Sequence, residues 1–311
     1  MFFIRDMDYP DYHIHCQKIF PENKPRSSLK DFGFLVISPT LNDNEDVLKL
    51  PSNYLKLIDS LASKTSNALE NPEENCYFQK NTPQNLRDLA HYLKNPFELS
   101  ETHDIANIIL PQIETSIFGS YVHVMLAVIK RHNVVENAKK ESSWIWHYDN
   151  HPNEVIKIMI YLNDVDENGA PLEYLVDAEN NSVKVQPSRT GPENWFGKPK
   201  WPDSRVPDSL LKEYLEKGCK TKKITGPKGT IVIFSQNVLH RANIATSNPR
   251  DTLLYQLKPS ETKLRPYVNP KWTGSFQHRA SLVDPSWVKA IKKESVAVTL
   301  GNLRSKYFKR K

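Results

Sequence analysis

The segment VIKIMIYL, from Val155 to Leu162, constrains the fold of this chain more than any other stretch of its length. Ile156, Ile158, Ile160 and Leu162 share one face of an extended backbone, and Lys157, Met159 and Tyr161 share the other. Other short apolar runs follow the same logic: DFGFLVIS (31–38, ended by Pro39), SYVHVMLAVIK (120–130), LEYLV (172–176), GTIVIFS (229–235) and TLLYQLK (252–258). After Phe118 turn clusters such as DVDENGAP separate them, and no helical pattern intervenes there outside residues 178–228. Strands joined in this way predict an antiparallel sandwich or barrel and argue against a parallel α/β sheet.

The first third reads differently. Residues 51–70, 83–94 and 101–116 carry apolar residues near helical spacing, with Ser100 or Thr102 as a cap for the last of these. Residues 1–30 are polar, interrupted by proline and expected to be irregular. The chain is therefore expected to form one domain. A helical region (1–117) packs on a β-rich core (118–262), and a C-terminal extension with a basic tail (263–311) follows. Within the core, residues 178–228 hold six prolines, two tryptophans and one helical candidate, PDSLLKEYLEKG, and read as a lid-like insertion.

Three cysteines (Cys16, Cys76, Cys219) without C-x-x-C spacing argue against a disulfide framework and against a thiolate zinc site. With no signal-like N-terminus and no apolar run of membrane-spanning length, the expected location is the cytoplasm. The net charge of +6 is concentrated: residues 183–228 contain eleven Lys or Arg against five Asp or Glu. Lys184, Arg189, Lys198, Lys200, Arg205, Lys222 and Lys223, with Trp195, Phe196 and Trp201, fit capture of an anionic or sugar-like small molecule, or equally a solvated flap. No nucleic-acid motif accompanies them, so a nucleic-acid partner ranks lower. The sequence does not bear on oligomeric state.

The chemistry concentrates in WIWHYDNHP, Trp144 to Pro152. On an extended chain His147 and Asp149 point to the same side, with Tyr148 turned away. His240, just after the GTIVIFS strand, is the best candidate for a third ligand, and Arg250 opens the following strand. Two imidazoles and one carboxylate leave three positions of an octahedral ion open, which suits Fe(II) with a bidentate co-substrate and O2. The same set can hold zinc, although zinc favours four-coordination and needs no distant arginine. His151 reads as a rim residue, His123 and His132 as structural, and Trp144 and Trp146 as packing.

The order WHYD, then MIYLNDVDENGAPLEYL, then GTIVIFSQNVLHRANIATSNPRDTLLYQL resembles the phytanoyl-CoA dioxygenase-like branch of the Fe(II)/2-oxoglutarate-dependent dioxygenases. His147, Asp149, His240, Arg250 and Thr252 match that family's motif of H-x-D, distal His, and Arg followed two residues on by Ser or Thr. The chain departs from the family where LEYLVDAENNS stands in place of the segment that often follows NGPL. The resemblance implies a double-stranded β-helix (jelly-roll, cupin-like) barrel with an all-β core and flanking helices. It implies Fe(II) on His147, Asp149 and His240, with 2-oxoglutarate chelating the iron. The distal carboxylate of 2-oxoglutarate would meet Arg250 and Thr252, with Lys157 and Lys130 as the fallback cations. It implies O2 as oxidant, and release of succinate and CO2. The retained carboxylate favours hydroxylation or a desaturation-type oxidation over halogenation. A non-catalytic jelly-roll protein that binds a metal or ligand is the alternative.

Overall fold

The computed structural model describes residues 9–22, 29–41, 44–77, 83–188 and 204–268. Arg189, Trp195, Phe196, Lys198, Lys200, Trp201 and the basic C-terminal tail lie outside the described residues.

The chain runs α1 (Tyr9–Ile19), β1 (Phe34–Ile37), α2 (Tyr54–Glu70), α3 (Pro72–Asn75), α4 (Gln84–Leu89), β2 (Ala90–Tyr92) and α5 (Ser100–Ile113). It continues through β3 (Tyr121–His132), β4 (Ile156–Tyr161), β5 (Leu172–Val176), α6 (Asp208–Glu216), β6 (Lys220–Ile224), β7 (Ile231–Ser235), β8 (His240–Ala242) and β9 (Arg250–Ser260). One sheet has the order β1-β7-β4-β9-β3-β2, and a second has the order β6-β5-β8. Every strand pair is antiparallel. The segment around His147 joins the second sheet through a bridge to His240. From β3 onward the chain therefore alternates between sheets: β3, the His147 segment, β4, β5 with β6, β7, β8, β9. This winding is that of a double-stranded β-helix, the jelly-roll architecture expected from the sequence.

The two faces of the large sheet are chemically distinct. Its outer face carries Ile156, Ile158, Ile160, Ile231, Ile233, Leu253, Tyr255 and Leu257, packed with Ile58 and Leu61 of α2 and Ile105, Ile109 and Ile113 of α5. Both helices present apolar residues at spacings of three and four, which is why they lie flat on the sheet. Tyr255 ties the layers by donating its hydroxyl to the Thr102 carbonyl at 2.6 Å. The inner face packs Val128, Met159, Tyr161, Val232, Phe234 and Leu254 against Leu172, Tyr174, Val176 and Ile224 of the small sheet. The alternation read in VIKIMIYL thus separates a helix-facing side from a barrel-facing side.

Several elements differ from the sequence expectation. Residues 9–19 are helical rather than irregular: α1 buries Tyr12, His13 and Cys16, and His13 and Gln17 both hydrogen-bond the Phe118 carbonyl. The expected helix over 83–94 stops at Leu89, because Ala90–Tyr92 pairs with Arg131 and its neighbours at the free edge of β3. The helix expected over 101–116 ends at Ile113 and continues as a wider π-turn, Glu114–Phe118, closed by Gly119 in the left-handed region. The stretch 178–228 contributes β6, a strand of the small sheet whose Lys-rich exposed face is the usual protection of a sheet edge. The three cysteines are free.

Ile158 is fully buried in β4 between β7 and β9. Ile158→Ala should cost about 2–5 kcal/mol of unfolding free energy. Lys220→Ala, on the exposed face of β6, should stay within about 0.5 kcal/mol. Urea titrations of the two variants check both values.

Candidate metal centre and buried arginine

His147 and His240 exchange backbone hydrogen bonds, 3.0 Å from His147 N to His240 O and 2.9 Å in the reverse direction. Their rings lie 4.3 Å apart. The Asp149 amide donates to the Gln236 carbonyl (2.8 Å), which holds the carboxylate beside both rings. The turn after it is fixed by Asn150, whose φ is 52° and whose Oδ1 accepts the Ser188 amide at 2.8 Å. Tyr148 points the other way, into an apolar cluster with Trp146, Val206 and Leu239. One donor atom from each of His147, Asp149 and His240 lies within 4.8 Å of the others, and no other such group of three His, Cys, Asp or Glu occurs among the described residues.

The imidazoles are oriented for coordination. His147 Nδ1 donates to the Ile145 carbonyl at 2.8 Å, and His240 Nδ1 to the Val238 carbonyl at 2.7 Å. A carbonyl can only accept, so the ring proton sits on Nδ1 and the Nε2 lone pair faces the carboxylate. Nε2 of His147 is 3.7 Å from Asp149 Oδ1, and Nε2 of His240 is 3.9 Å from Oδ2. Burial pushes both histidines below their ordinary pKa, against the opposing pull of Asp149. Burial alone would raise the Asp149 carboxyl. Lys157, and then His240, His147 and His151, instead hold it well below the usual carboxylate range. The donor set is therefore two neutral imidazoles and an ionised carboxylate, the form a divalent metal takes.

Arg250 stands at the start of β9 and is 1% exposed. Its Nη2 donates to His132 Nδ1 at 2.7 Å and the Tyr161 hydroxyl lies against the guanidinium, while Nε and Nη1 make no hydrogen bond of good geometry. No carboxylate pairs with it among the described residues. A guanidinium cannot shed its proton in a protein, and charged side chains are rarely fully buried unless paired. Thr252, also fully buried, sits two residues on and on the same face, with its hydroxyl 3.5 Å from the Lys130 carbonyl. Lys130 connects the two halves of the site: burial, then Arg250 and Lys157, pull its pKa down to about 7, and Asp149 opposes them. The triad, Arg250 and two lysines thus share one barrel interior.

The five residues singled out in the sequence all line this interior. His151 is outside the triad, although its charge reaches Asp149. Trp144 and Trp146 are buried, Trp146 beneath the Arg241 guanidinium at 4.8 Å. His132, assigned a structural role from the sequence, is the hydrogen-bond partner of Arg250. Its register opposite Arg250 on β3 and β9 was not readable before the strands were paired. Arg205 is placed opposite His147 by a backbone bridge, and its charge bears on both histidines of the triad.

No family model matches the sequence. An L-proline trans-4-hydroxylase from Streptomyces griseoviridis is 25% identical over 133 residues, covering 39% of this chain. The match spans about half (49%) of that relative's length. Among solved structures, the non-heme alpha-ketoglutarate-dependent carbocyclase SnoK from nogalamycin biosynthesis aligns with a TM-score of 0.49 at 13% identity, over 76% of this chain and 85% of its own. EctD from S. alaskensis with bound Fe aligns at 0.42 and 14%, over 76% and 78%. HygX from Streptomyces hygroscopicus, with nickel, 2-oxoglutarate and hygromycin B bound, aligns at 0.44 and 11%, over 75% and 85%. Overlaps this loose add nothing to the strand order and the site geometry. Among the described residues no helix is long and apolar enough to cross a membrane.

His13, His132, His147 and His240 all have pKa values lowered chiefly by burial. Such groups take up protons more readily in the unfolded chain, so acid favours unfolding once the pH falls below the unfolded value of about 6.5. The urea midpoint of chelator-treated protein should therefore drop between pH 7 and pH 5. An unchanged midpoint over that interval would contradict the neutral, buried assignment.

Proposed function

We propose that the chain is an Fe(II)- and 2-oxoglutarate-dependent dioxygenase that hydroxylates a small molecule and releases succinate and CO2. The observation that carries this reading is Arg250: a fully buried guanidinium with two unpartnered nitrogens, in the same interior as a neutral His, neutral His, carboxylate triad. A metal site alone has no use for such an arginine. A co-substrate with one end on the metal and a carboxylate at the other end gives it a partner. In this reading His147, Asp149 and His240 hold the iron. Arg250 takes the distal carboxylate of 2-oxoglutarate through paired charge-assisted hydrogen bonds, braced by His132, and the Thr252 hydroxyl adds a donor. Bound iron and 2-oxoglutarate supply the activation of O2; the chain supplies position, charge and exclusion of water.

The finer reading is that the substrate is anionic. Lys157, Lys130 and Arg205 bring positive charge to the triad, and Lys157 is paired with Asp149. A sugar-like substrate bound by the 178–228 segment is the other option. The curated relative's name gives an amino acid, L-proline, as its substrate, which fits a small carboxylate-bearing molecule.

Succinate formation from 2-oxoglutarate with Fe(II) and ascorbate tests the reading. His147→Ala, Asp149→Ala and His240→Ala should each abolish turnover and severely weaken iron binding, while His151→Ala keeps the iron. Arg250→Met should leave iron binding nearly intact and raise KM for 2-oxoglutarate, reflecting a loss on the order of 2–5 kcal/mol. A jelly-roll protein that only binds metal would retain the cation and form no succinate, and that result would overturn the enzymatic reading.

A further inference from the structure

Lys157 and a metal at the triad would compete for one carboxylate. The lysine stands on the barrel-facing side of β4, between Phe234 of β7 and Gln256 of β9 in register. Its Nζ is 2.6 Å from Asp149 Oδ2 and 6.0 Å from the Phe234 ring centroid. Asp149 is the only carboxylate in ion-pair contact with it among the described residues. Both oxygens of that carboxylate also face an imidazole Nε2, at 3.7 and 3.9 Å, so a cation held by the triad would bond the group that Lys157 already neutralises.

We propose that Lys157 is a displaceable counter-ion for Asp149. It holds the carboxylate turned toward the imidazoles until a divalent cation enters, and then gives it up. This rests on the reading of His147, Asp149 and His240 as the metal centre. At equal separation a divalent cation attracts the carboxylate, and repels an ammonium, twice as strongly as a monovalent one does. Lys130 is close enough for its charge and that of Lys157 to repel one another. Both partners of the ion pair are about one-fifth exposed, with side-chain accessibilities of 19% and 20%, so solvent already weakens it. A lysine stem is long and flexible enough to carry its ammonium to another anion without moving the strand. Displaced, the ammonium stands beside the metal, where an anionic group of a reactant can meet it.

Two consequences of opposite sign follow. Lys157 stabilises the metal-free protein, because without it Asp149 faces two imidazoles with no full positive charge in contact. It also weakens metal binding, because its charge must be pushed aside. A fixed brace for Asp149 gives a different pattern: its removal weakens the fold and the metal site together.

The test uses chelator-treated full chain as wild type, K157M, K157R and H240A, titrated with Co(II) at neutral pH without 2-oxoglutarate. Binding is followed by calorimetry and by the cobalt absorption bands, and metal-free melting by circular dichroism. K157M should bind Co(II) about tenfold more tightly than wild type, or tighter still, and should melt at a lower temperature without metal. K157R should resemble wild type in both, and H240A should bind Co(II) far more weakly. K157Q repeats the titration if K157M does not fold. Equal or weaker Co(II) binding by the neutral variant makes Lys157 a fixed brace and overturns the proposal while leaving the metal centre standing. Absence of Co(II) binding by wild type, or equal binding by wild type and H240A, removes the metal centre and this proposal with it.

Discussion

Strand β9 is buried along its whole length, and its two faces carry different chemistry. Leu253, Tyr255 and Leu257 face the helices, while Arg250, Thr252, Leu254 and Gln256 face the barrel. A one-residue slip against β3 or β4 would put the arginine into an aliphatic layer and a leucine into the site. The aliphatic outer face makes that slip costly, so packing against α2 and α5 is what holds the polar inner face in register. Pairing then sets Arg250 opposite His132, and Thr252 between Lys130 and Tyr161.

This arrangement places several positive groups inside a protein. Lys157 pairs with Asp149, Lys130 lies within reach of Asp149, Lys157 and Arg250, and burial depresses the pKa of Lys130 and of Arg250. Such a cluster is unfavourable by itself, and the outer hydrophobic layer offsets its cost. The positive groups favour neutral imidazoles and an ionised aspartate; burial acts with them on the two histidines and against them on Asp149, where the neighbouring charges prevail. The Nδ1 contacts to Ile145 and Val238 complete this by fixing which ring nitrogen is left to bind.

Much of the core was legible in the residues. Period-two alternation marked β4, and short apolar runs bounded by turn residues marked β1, β3, β5, β7 and β9. The H-x-D spacing placed His147 and Asp149 on one side of an extended segment, although that segment joins its sheet by a bridge rather than a continuous ladder. Elements with weak or misleading patterns were not legible. Strand β6, KTKKI, has exposed lysines and little apolar content because it is an edge. Strand β8 spans three residues and is defined only by its partner. Helix α1 buries a narrow strip made of Tyr12, His13 and Cys16, too polar to show as a hydrophobic stripe. Residues 90–92 continue a helical pattern, yet they extend because β3 offers unpaired backbone.

By itself the sequence determined which residue types could form strands, which side of each strand was aliphatic, and that one histidine–aspartate pair shared a side. These are local properties, set by backbone geometry and by the period of two. Only the tertiary structure decided that His240 meets that pair, that His132 rather than a carboxylate meets Arg250, and that Lys157 lies on Asp149. Those contacts join residues separated by 91, 118 and 8 positions. They depend on strand register and on the crossing of the chain between two sheets, which no local pattern of side chains encodes.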